Sequence, residues 1–387
     1  MPASLETNRV SQAVAQLRRD GVTFVDLTLS NPTRAGLDYP SDLLAPLGHA
    51  RALTYRPDPL DLPDAREAVV DDFARRGLRV DAAHVALTAS TSEAYSLLFK
   101  LLCDPGDEVL IPQPSYPLFE HLTRLDAVRA VPYQLEYHGR WSIDLASVER
   151  ALSPRTRAVL VVSPNNPTGN YISQRDLDAL AGLCAPRGIA VIADEVFADY
   201  DLEDAPALPR GCLLDRTDVL GFTLGGLSKS IGLPQVKLGW VVVSGSATLR
   251  QAAMERLELA CDTYLSVSTP VQMAARELLD LGAPIRRQIQ QRVRGNLDVC
   301  AALVANRPSC TLLHAEGGWY GVVQVPAVVP EDELMLSLLL DHRVLVQPGY
   351  FFDFDRESFL VISLLASEAH LTDGVSRALD HIERLCL

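Results

Sequence analysis

The stretch RAVLVVSPNNPTGN, residues 157–170, joins an apolar run to a turn rich in asparagine and proline. The run is apolar at successive positions instead of alternating, which is typical of a strand covered on both faces of a sheet. Comparable runs follow one another along the chain, separated in several places by segments with helical spacing; they occupy residues 84–89, 107–112, 188–194, 218–223 and 238–244. This order predicts an α/β fold with a mostly parallel large sheet.

The composition changes after about residue 280, where a long helical segment precedes GGWYGVVQVP and FLVISLLA. A chain of 387 residues also exceeds the usual size of one compact core. We therefore expect a large domain over residues 41–280 and a smaller α+β domain built from residues 1–40 and 281–387.

Charge and composition limit the possible partners. The net charge is −14, and hydrophobic residues make up 48% of the chain. An acidic chain without long basic runs disfavours nucleic acid, and no apolar run approaches the ~20 residues of a membrane helix. Seven scattered cysteines without a CxxC pair, and histidines without metal-ligand spacing, indicate reduced thiols and no metal. We expect a cytoplasmic protein with neither nucleic acid nor membrane as partner.

Four polar clusters follow strands of the predicted sheet, where ligands of such sheets bind. Ser90, Thr91 and Ser92 open a helix, so they are either a phosphate cradle or a simple helix cap. Asn166 lies in a proline-fixed turn, which either presents its amide or only reverses the chain.

The other two clusters supply a carboxylate and an amine. Asp194 ends one strand, where it is either a helix cap or a partner for a cation. Lys229 follows another strand, and a lone lysine at such a place is usually solvated. Together the four clusters match the needs of pyridoxal 5′-phosphate (PLP). The lysine amine forms an imine with the cofactor aldehyde if burial lowers its pKa, and the carboxylate keeps the pyridine nitrogen protonated.

With these motifs, and with LTYRPDPLDLPDAREAV, PSYPLF and GLSKSIGLPQVKLGW in the same order, the chain resembles the class I/II aminotransferases of fold type I over nearly its whole length. The resemblance implies a mostly parallel seven-stranded sheet in the large domain and a smaller α+β domain.

The resemblance also implies roles at the matched positions. Lys229 is the Schiff-base lysine and moves a proton between substrate and cofactor, and Asp194 is the partner of the pyridine nitrogen. Asn166 donates to the phenolic oxygen, Tyr116 stacks on the ring, and Ser90 to Ser92 form the phosphate loop. Tyr55 matches a tyrosine that reaches the phosphate of the neighbouring subunit, which implies a homodimer with shared active sites.

Several positions depart from the family pattern around the cofactor. Lys237 stands where an arginine usually clamps the phosphate, so the charge stays and the bidentate fork is lost. Gly226 stands where the family usually has a serine that binds the phosphate. Ser228 is a candidate to supply the missing hydroxyl. Phe197 replaces a tyrosine that donates to the phenolic oxygen, which should raise the imine pKa; Tyr200 is a weak candidate for the missing donor.

The largest departure is Val361, where relatives that act on α-amino acids carry an arginine for the substrate carboxylate. A buried carboxylate without a partner costs several kcal/mol. Arg356 lies five residues earlier, roughly 17 Å along a strand, which is too far. The alternative receivers are Arg34, Arg56 and His314, and Trp319 matches a position on the substrate side of the cofactor.

The sequence thus predicts a PLP-dependent aminotransferase that exchanges an amino group between an amine or amino acid and a keto acid or aldehyde, with an atypical carboxylate site. A PLP-dependent lyase, or a cyclase or dehydratase of an amino-acid-derived metabolite, is the alternative. A non-catalytic PLP-binding protein is a third reading, which the presence of both Lys229 and Asp194 opposes. The substrate stays open.

Overall fold

The structure is a computed structural model that describes residues 8–356 and 358–386. The α-helices, in chain order, are α1 (Arg9–Arg19), α2 (Pro63–Arg75), α3 (Thr91–Leu102), α4 (Phe119–Leu125), α5 (Leu145–Ala151), α6 (Gln174–Cys184), α7 (Leu227–Ser230), α8 (Ala247–Tyr264), α9 (Thr269–Ala305), α10 (Glu331–Leu340) and α11 (Glu368–Leu385).

The strands divide among three sheets. They are β1 (Val25–Asp26), β2 (Val85–Thr88), β3 (Glu108–Gln113), β4 (Arg129–Tyr137), β5 (Trp141–Ile143), β6 (Thr156–Val162), β7 (Ala190–Asp194), β8 (Gly221–Gly226), β9 (Gly239–Ser244), β10 (Thr311–Leu312), β11 (Tyr320–Gln324), β12 (Val344–Leu345), β13 (Gln347–Pro348) and β14 (Phe359–Ser363).

The large sheet has eight strands in the order β2-β9-β8-β7-β6-β3-β4-β5. Strands β4, β3, β6, β7 and β8 run parallel, and β9, β2 and β5 are antiparallel to their neighbours. All residues of β2, β7, β8 and β9 are buried, as continuous apolar runs predict for a sheet covered on both faces. The α/β prediction is confirmed.

The sheet has one strand more than the resemblance implied. The extra strand is the three-residue edge strand β5, which pairs with the end of β4 after the turn at Gly139, where φ is +80°. Neither β4 nor β5 stood out in the sequence. Pro132 interrupts β4, and proline within a run argues against a central strand because it cannot donate to the ladder.

The remaining strands form two smaller sheets. β1 pairs with β12, and the second sheet has the order β10-β11-β14-β13. Two backbone groups tie the N-terminal segment to β14, since Ser363 N donates to Leu27 O at 2.8 Å and Ser363 Oγ donates to Leu29 O. Residues 25–29 therefore lie beside β12 and β14, and the assignment of residues 1–40 to the smaller domain stays a prediction.

Helix α9 connects the parts of the molecule. It packs against α2 and α11 and runs through the predicted domain boundary at 280/281, which stays a prediction. Its buried Asn296 donates from Nδ2 to the carbonyls of Leu364 and Ala366 at 2.7 and 2.8 Å, just after β14. One long helix thus contacts both α2 and the segment that follows β14. In the described ranges, helices with the length and apolar character of a membrane span are absent.

Candidate active site

A cavity of about 230 Å³ lies at the carboxyl ends of β6, β7 and β8. This is the edge where open α/β sheets bind ligands. Its polar lining consists of Ser30, Ser90, Thr91, Ser92, Asn166, Asp194, Ser228, Lys229 and Gln347. Its aromatic lining consists of Tyr95, Tyr116, Phe119, Phe197, Tyr320, Phe351 and Phe352. The structure therefore brings the four predicted polar clusters together in one cavity.

Lys229 enters the cavity from the one-turn helix α7, which directly follows β8. Burial lowers the pKa of its amine from the ordinary value, and the negative charge of Asp194 opposes this shift. The Nζ atom lies 5.1 Å from the ring centroid of Trp319 and 5.5 Å from that of Phe197. These low-dielectric surroundings favour the neutral, nucleophilic amine.

The backbone around Lys229 is held by side chains from three other elements. Tyr200 Oη lies 2.5 Å from Lys229 O and 3.0 Å from Ser230 O, and it can donate to either carbonyl. Arg286 Nε of α9 also donates to Ser230 O, at 2.9 Å, and Tyr39 Oη donates to Gly232 O at 2.8 Å. Tyr200 therefore positions the lysine segment, and its hydroxyl does not supply the donor that Phe197 lacks in the cavity.

Asp194 ends β7, and its carboxylate has two donors. Tyr95 Oη donates to Oδ2 at 2.6 Å, and Val196 N donates to Oδ1 at 3.0 Å. Burial raises the pKa of Asp194, while these two hydrogen bonds lower it. Sequence reasoning missed Tyr95, which it assigned no role. The signal that could have found it is a hydroxyl on the buried face of the helix that follows the serine cluster.

The serine cluster lies at the start of α3. Ser90 is the N-cap, and its Oγ accepts from Glu93 N at 3.1 Å, so the cap function predicted as the simple alternative is real. Thr91 and Ser92 are the first residues of the helix and line the cavity. The first N–H groups of a helix have no intrahelical acceptor and attract anions, so the cap and the phosphate cradle are compatible.

Steric crowding explains why position 226 is occupied by glycine. A Cβ atom added to Gly226 would lie 2.9 Å from the carbonyl oxygen of Leu238 on the neighbouring chain segment. A serine there would require the backbone to move. Ser228 lines the cavity instead and offers a hydroxyl two residues later.

The two asparagines of the turn after β6 have different surroundings. Asn165 fixes the turn, because its Nδ2 donates to Pro114 O and Thr168 Oγ1 and its Oδ1 accepts from Ser115 Oγ at 2.8 Å. Asn166 lines the cavity, and its Oδ1 is buried without a hydrogen-bond partner in the described part of the chain. Its amide is therefore available for a ligand.

The aromatic residues divide between the cavity and the core. Tyr116 lines the cavity with an edge contact to Phe119, at 5.7 Å between ring centroids. Trp319 is buried behind Lys229 and is not a lining residue, whereas the adjacent Tyr320 lines the cavity. The residue that faces the cavity is thus Tyr320, one position after the predicted Trp319.

Two predicted cofactor residues lie outside the cavity of their own chain. Tyr55 is 68% exposed, and Lys237 is exposed after a short 3-10 turn with φ +61°. The implied role of Tyr55 places it in a neighbouring subunit's site, so this exposure is compatible with it. The role of Lys237 stays a prediction.

Val361 and its proposed substitutes are also separate from the cavity. Val361 is fully buried in the core, and Arg34, Arg56 and Arg356 are exposed and do not line the cavity. His314 Nε2 lies 2.8 Å from the guanidinium of Arg140, which also binds Glu203 and Glu316. Lys229 is the only lysine, arginine or histidine among the described residues that line the cavity.

Comparison with known proteins identifies the class to which this fold and site belong. The sequence profile of the class I and II aminotransferases matches residues 45–381, and the chain belongs to that family. Enzymes of the family depend on PLP, and the protein is accordingly a PLP-dependent aminotransferase.

Three relatives illustrate the degree of similarity. The chain is 27% identical to an alanine aminotransferase of Mycobacterium tuberculosis (strain H37Rv), over 95% of this chain and 87% of the relative. It is 26% identical to a glutamate–pyruvate aminotransferase of Escherichia coli (strain K12), over 92% and 89%. The solved structure of an alanine aminotransferase from Pyrococcus furiosus superposes with a TM-score of 0.86 at 23% identity, covering 97% and 96% of the two chains, which shows the shared fold.

The residues present fit PLP. The cavity combines an amine with a lowered pKa, a buried carboxylate whose pKa a cation would lower again, and the side-chain amide of Asn166, whose NH2 group can donate. A helix N-terminus with hydroxyls at its first turn supplies the place for a phosphate. Each of these groups matches a part of the cofactor.

Proposed function

We propose that the enzyme transfers an amino group between an amine or amino acid and a keto acid or aldehyde, with Lys229 as the residue that holds PLP and moves the proton. The observation that carries the proposal is the pair formed by Lys229 and Asp194 in one cavity, with the pKa of the amine lowered by burial. A neutral amine can both bind the cofactor covalently and later accept a proton from the substrate α-carbon.

The other residues would bind and orient the cofactor. Asp194, held by Tyr95 and Val196, would face the pyridine nitrogen, and Ser90, Thr91 and Ser92 would bind the phosphate. Asn166 would donate to the phenolic oxygen, and Tyr116 would cover the ring. When bound, PLP supplies an electron sink for the substrate α-carbon.

We further propose that the active sites are shared in a homodimer. Tyr55 and the leucine two residues before it, Leu53, are 68% and 90% exposed. These two exposed apolar side chains are available for contact with a partner subunit. In this arrangement Tyr55 would contact the phosphate in the partner subunit's cavity, and Lys237 is proposed as a further phosphate-binding residue.

The test is reconstitution with PLP, followed by borohydride reduction and peptide mapping. The chain has three lysines, and the other two, Lys100 and Lys237, are exposed, so the modified residue can be assigned without ambiguity. Modification of Lys229, with loss of the visible band on adding an amine and its return on adding a keto acid, is expected. The Lys100→Ala variant is the matched control, and modification elsewhere would contradict the proposal. Release of keto acid and ammonia without conversion of the cofactor would instead favour the lyase.

A further inference from the structure

The sheet face that carries Val361 also carries two cavity residues. Val361 is the register partner of both Val322 on β11 and Gln347 on β13, and Tyr320 lies two residues before Val322. Register partners and residues two apart on a strand share one face. Tyr320 and Gln347 both line the cavity. The position of the missing arginine is therefore flanked by Tyr320 and Gln347 at the cavity.

Gln347 has a free polar end at this place. Its Oε1 is buried without a hydrogen-bond partner in the described residues. An unsatisfied buried acceptor costs roughly 1–3 kcal/mol, which a ligand donor would recover. A carboxamide also offers two N–H donors, so it can bind a group that both donates and accepts.

Within a single chain, the charges that line the cavity disfavour a carboxylate at this place. Lys229 is the one cation among the described lining residues, and its amine is needed at the reacting carbon; Asp194 adds a negative charge. Ser30 lines the same cavity with a hydroxyl, and the hydrogen bond from Ser363 Oγ to Leu29 O holds its segment beside β14. The polar side chains that this sheet and the segment beside it contribute to the described cavity lining, Tyr320, Gln347 and Ser30, are thus uncharged.

We propose that Gln347, with Ser30 in the same cavity, binds an uncharged hydrogen-bonding group of the substrate, a carboxamide or a hydroxyl, in place of an α-carboxylate. The inference rests on the proposed amino-transfer function and names its substrate class: amines with a neutral polar group next to the amine-bearing carbon.

The first test measures binding without chemistry. Propionamide and propionate, which lack an amine, are titrated calorimetrically into the PLP-loaded wild type, Gln347→Leu and Gln347→Arg. Gln324→Leu is the matched control, because Gln324 is a part-buried glutamine of the same sheet outside the cavity. We expect the wild type to bind propionamide about tenfold more tightly than propionate, and Gln347→Leu to lose about tenfold for propionamide alone. Gln347→Arg should reverse the preference, and Gln324→Leu should change nothing.

The second test uses the half-reaction. The rates at which L-alaninamide and L-alanine discharge the visible band are compared in the same variants. The two amines differ in basicity, so the informative quantity is the change in their ratio from wild type to variant, from which this difference cancels. Gln347→Leu should lower the amide-to-acid ratio about tenfold.

The outcomes separate this inference from the proposed function. Tighter binding of propionate than of propionamide by the wild type, no binding of propionamide, or an unchanged preference in Gln347→Leu would each overturn the inference. If neither amine discharges the band, the amino-transfer proposal fails for these substrates, and the binding measurements still decide the role of Gln347.

Discussion

Tyr95 Oη donates a 2.6 Å hydrogen bond to Asp194 Oδ2, so the carboxylate that faces the cavity is held by a phenol from α3. Because this bond lowers the pKa of a carboxyl group that burial otherwise raises, it favours the charged form of Asp194. The serine cluster and the carboxylate are therefore linked through the same helix.

Replacing Tyr95 by Phe should reduce kcat about tenfold and lower the free energy of unfolding by about 1.5–3 kcal/mol, the range for a hydrogen bond to a charged group. Steady-state kinetics and urea denaturation measure the two effects. Tyr133→Phe is the matched control, since Tyr133 is also fully buried but donates to a backbone carbonyl, Leu160 O. Equal losses of activity in the two variants would contradict a specific role for Tyr95.

Replacing Phe197 by Tyr should restore a hydroxyl at the cavity wall. A donor to the phenolic oxygen favours the deprotonated lysine–cofactor link, so the pH midpoint of the visible absorbance change should fall by about one unit. A spectrophotometric pH titration of the reconstituted enzyme measures this midpoint. A midpoint that stays in place would mean that the new hydroxyl does not reach the cofactor.

Arg286 should be more important for stability than an ordinary arginine. Its guanidinium is buried, forms an ion pair with Asp72 at 2.9 Å and donates to Ser230 O next to Lys229. Arg286→Met removes the positive charge from a buried pair and should cost about 3–5 kcal/mol of unfolding free energy. Arg286→Lys should recover part of this loss. Chemical denaturation tests whether the Lys variant is more stable than the Met variant. Equal stabilities of the two variants would show that the positive charge is unimportant.

Asp61 should make the stability of the fold depend on pH, and the environment of its carboxyl group determines the sign of this dependence. Burial, and then the negative charges of Asp58 and Glu93, raise its pKa to about 8. An unfolded aspartate titrates near pH 4, so the folded state keeps a proton that the unfolded chain releases. The contribution of Asp61 to stability is fully present below about pH 4 and is lost as the pH rises toward 8.

The Asp61→Asn variant should therefore gain stability over the wild type as the pH rises from about 5 to 8. Asparagine tolerates the left-handed φ of +71° and can still accept from Gln272 Nε2, which donates to Asp61 Oδ1 at 2.6 Å. Denaturation curves across this range measure the difference. Asp204→Asn, at a side chain that is 99% exposed, is the control and should show no such trend.

The proposed sharing of sites predicts complementation between two damaged chains. Tyr55→Ala should weaken PLP binding by about tenfold, the cost of one lost charge-assisted hydrogen bond, and Lys229→Ala should abolish covalent attachment. Mixed dimers contain one site with both residues intact, so subunit exchange should restore wild-type affinity in that site. A monomer by sedimentation, or no recovery in the mixture, would contradict sharing.

The sequence was informative where function depends on residue type at a strand end. Lys229, Asp194, Asn166 and the serine cluster lie in one cavity because parallel strands deliver their carboxyl ends to the same edge. These positions could be predicted before any pairing was known, since only the order of apolar runs and punctuation was needed.

The other cavity residues depend on pairings that the sequence does not display. Gln347 lies fourteen residues before Val361, and only the β13–β14 register places the two side by side. Tyr95 looks like any core residue of an amphipathic helix until β7 lies beneath it. The exposure of Lys237 likewise follows from a local turn conformation that neighbouring residue types do not dictate.

The parallel pairing of β1 with β12 joins residues that are more than 300 positions apart. Ser30 follows β1 closely in the chain and lines the cavity together with Gln347 and Phe352, which come from the segment after β12. During synthesis on the ribosome, the N-terminal segment must therefore wait unpaired until almost the entire polypeptide has emerged. A nascent chain can form most of the large sheet early, but the substrate side of the pocket can be completed only after translation has nearly ended.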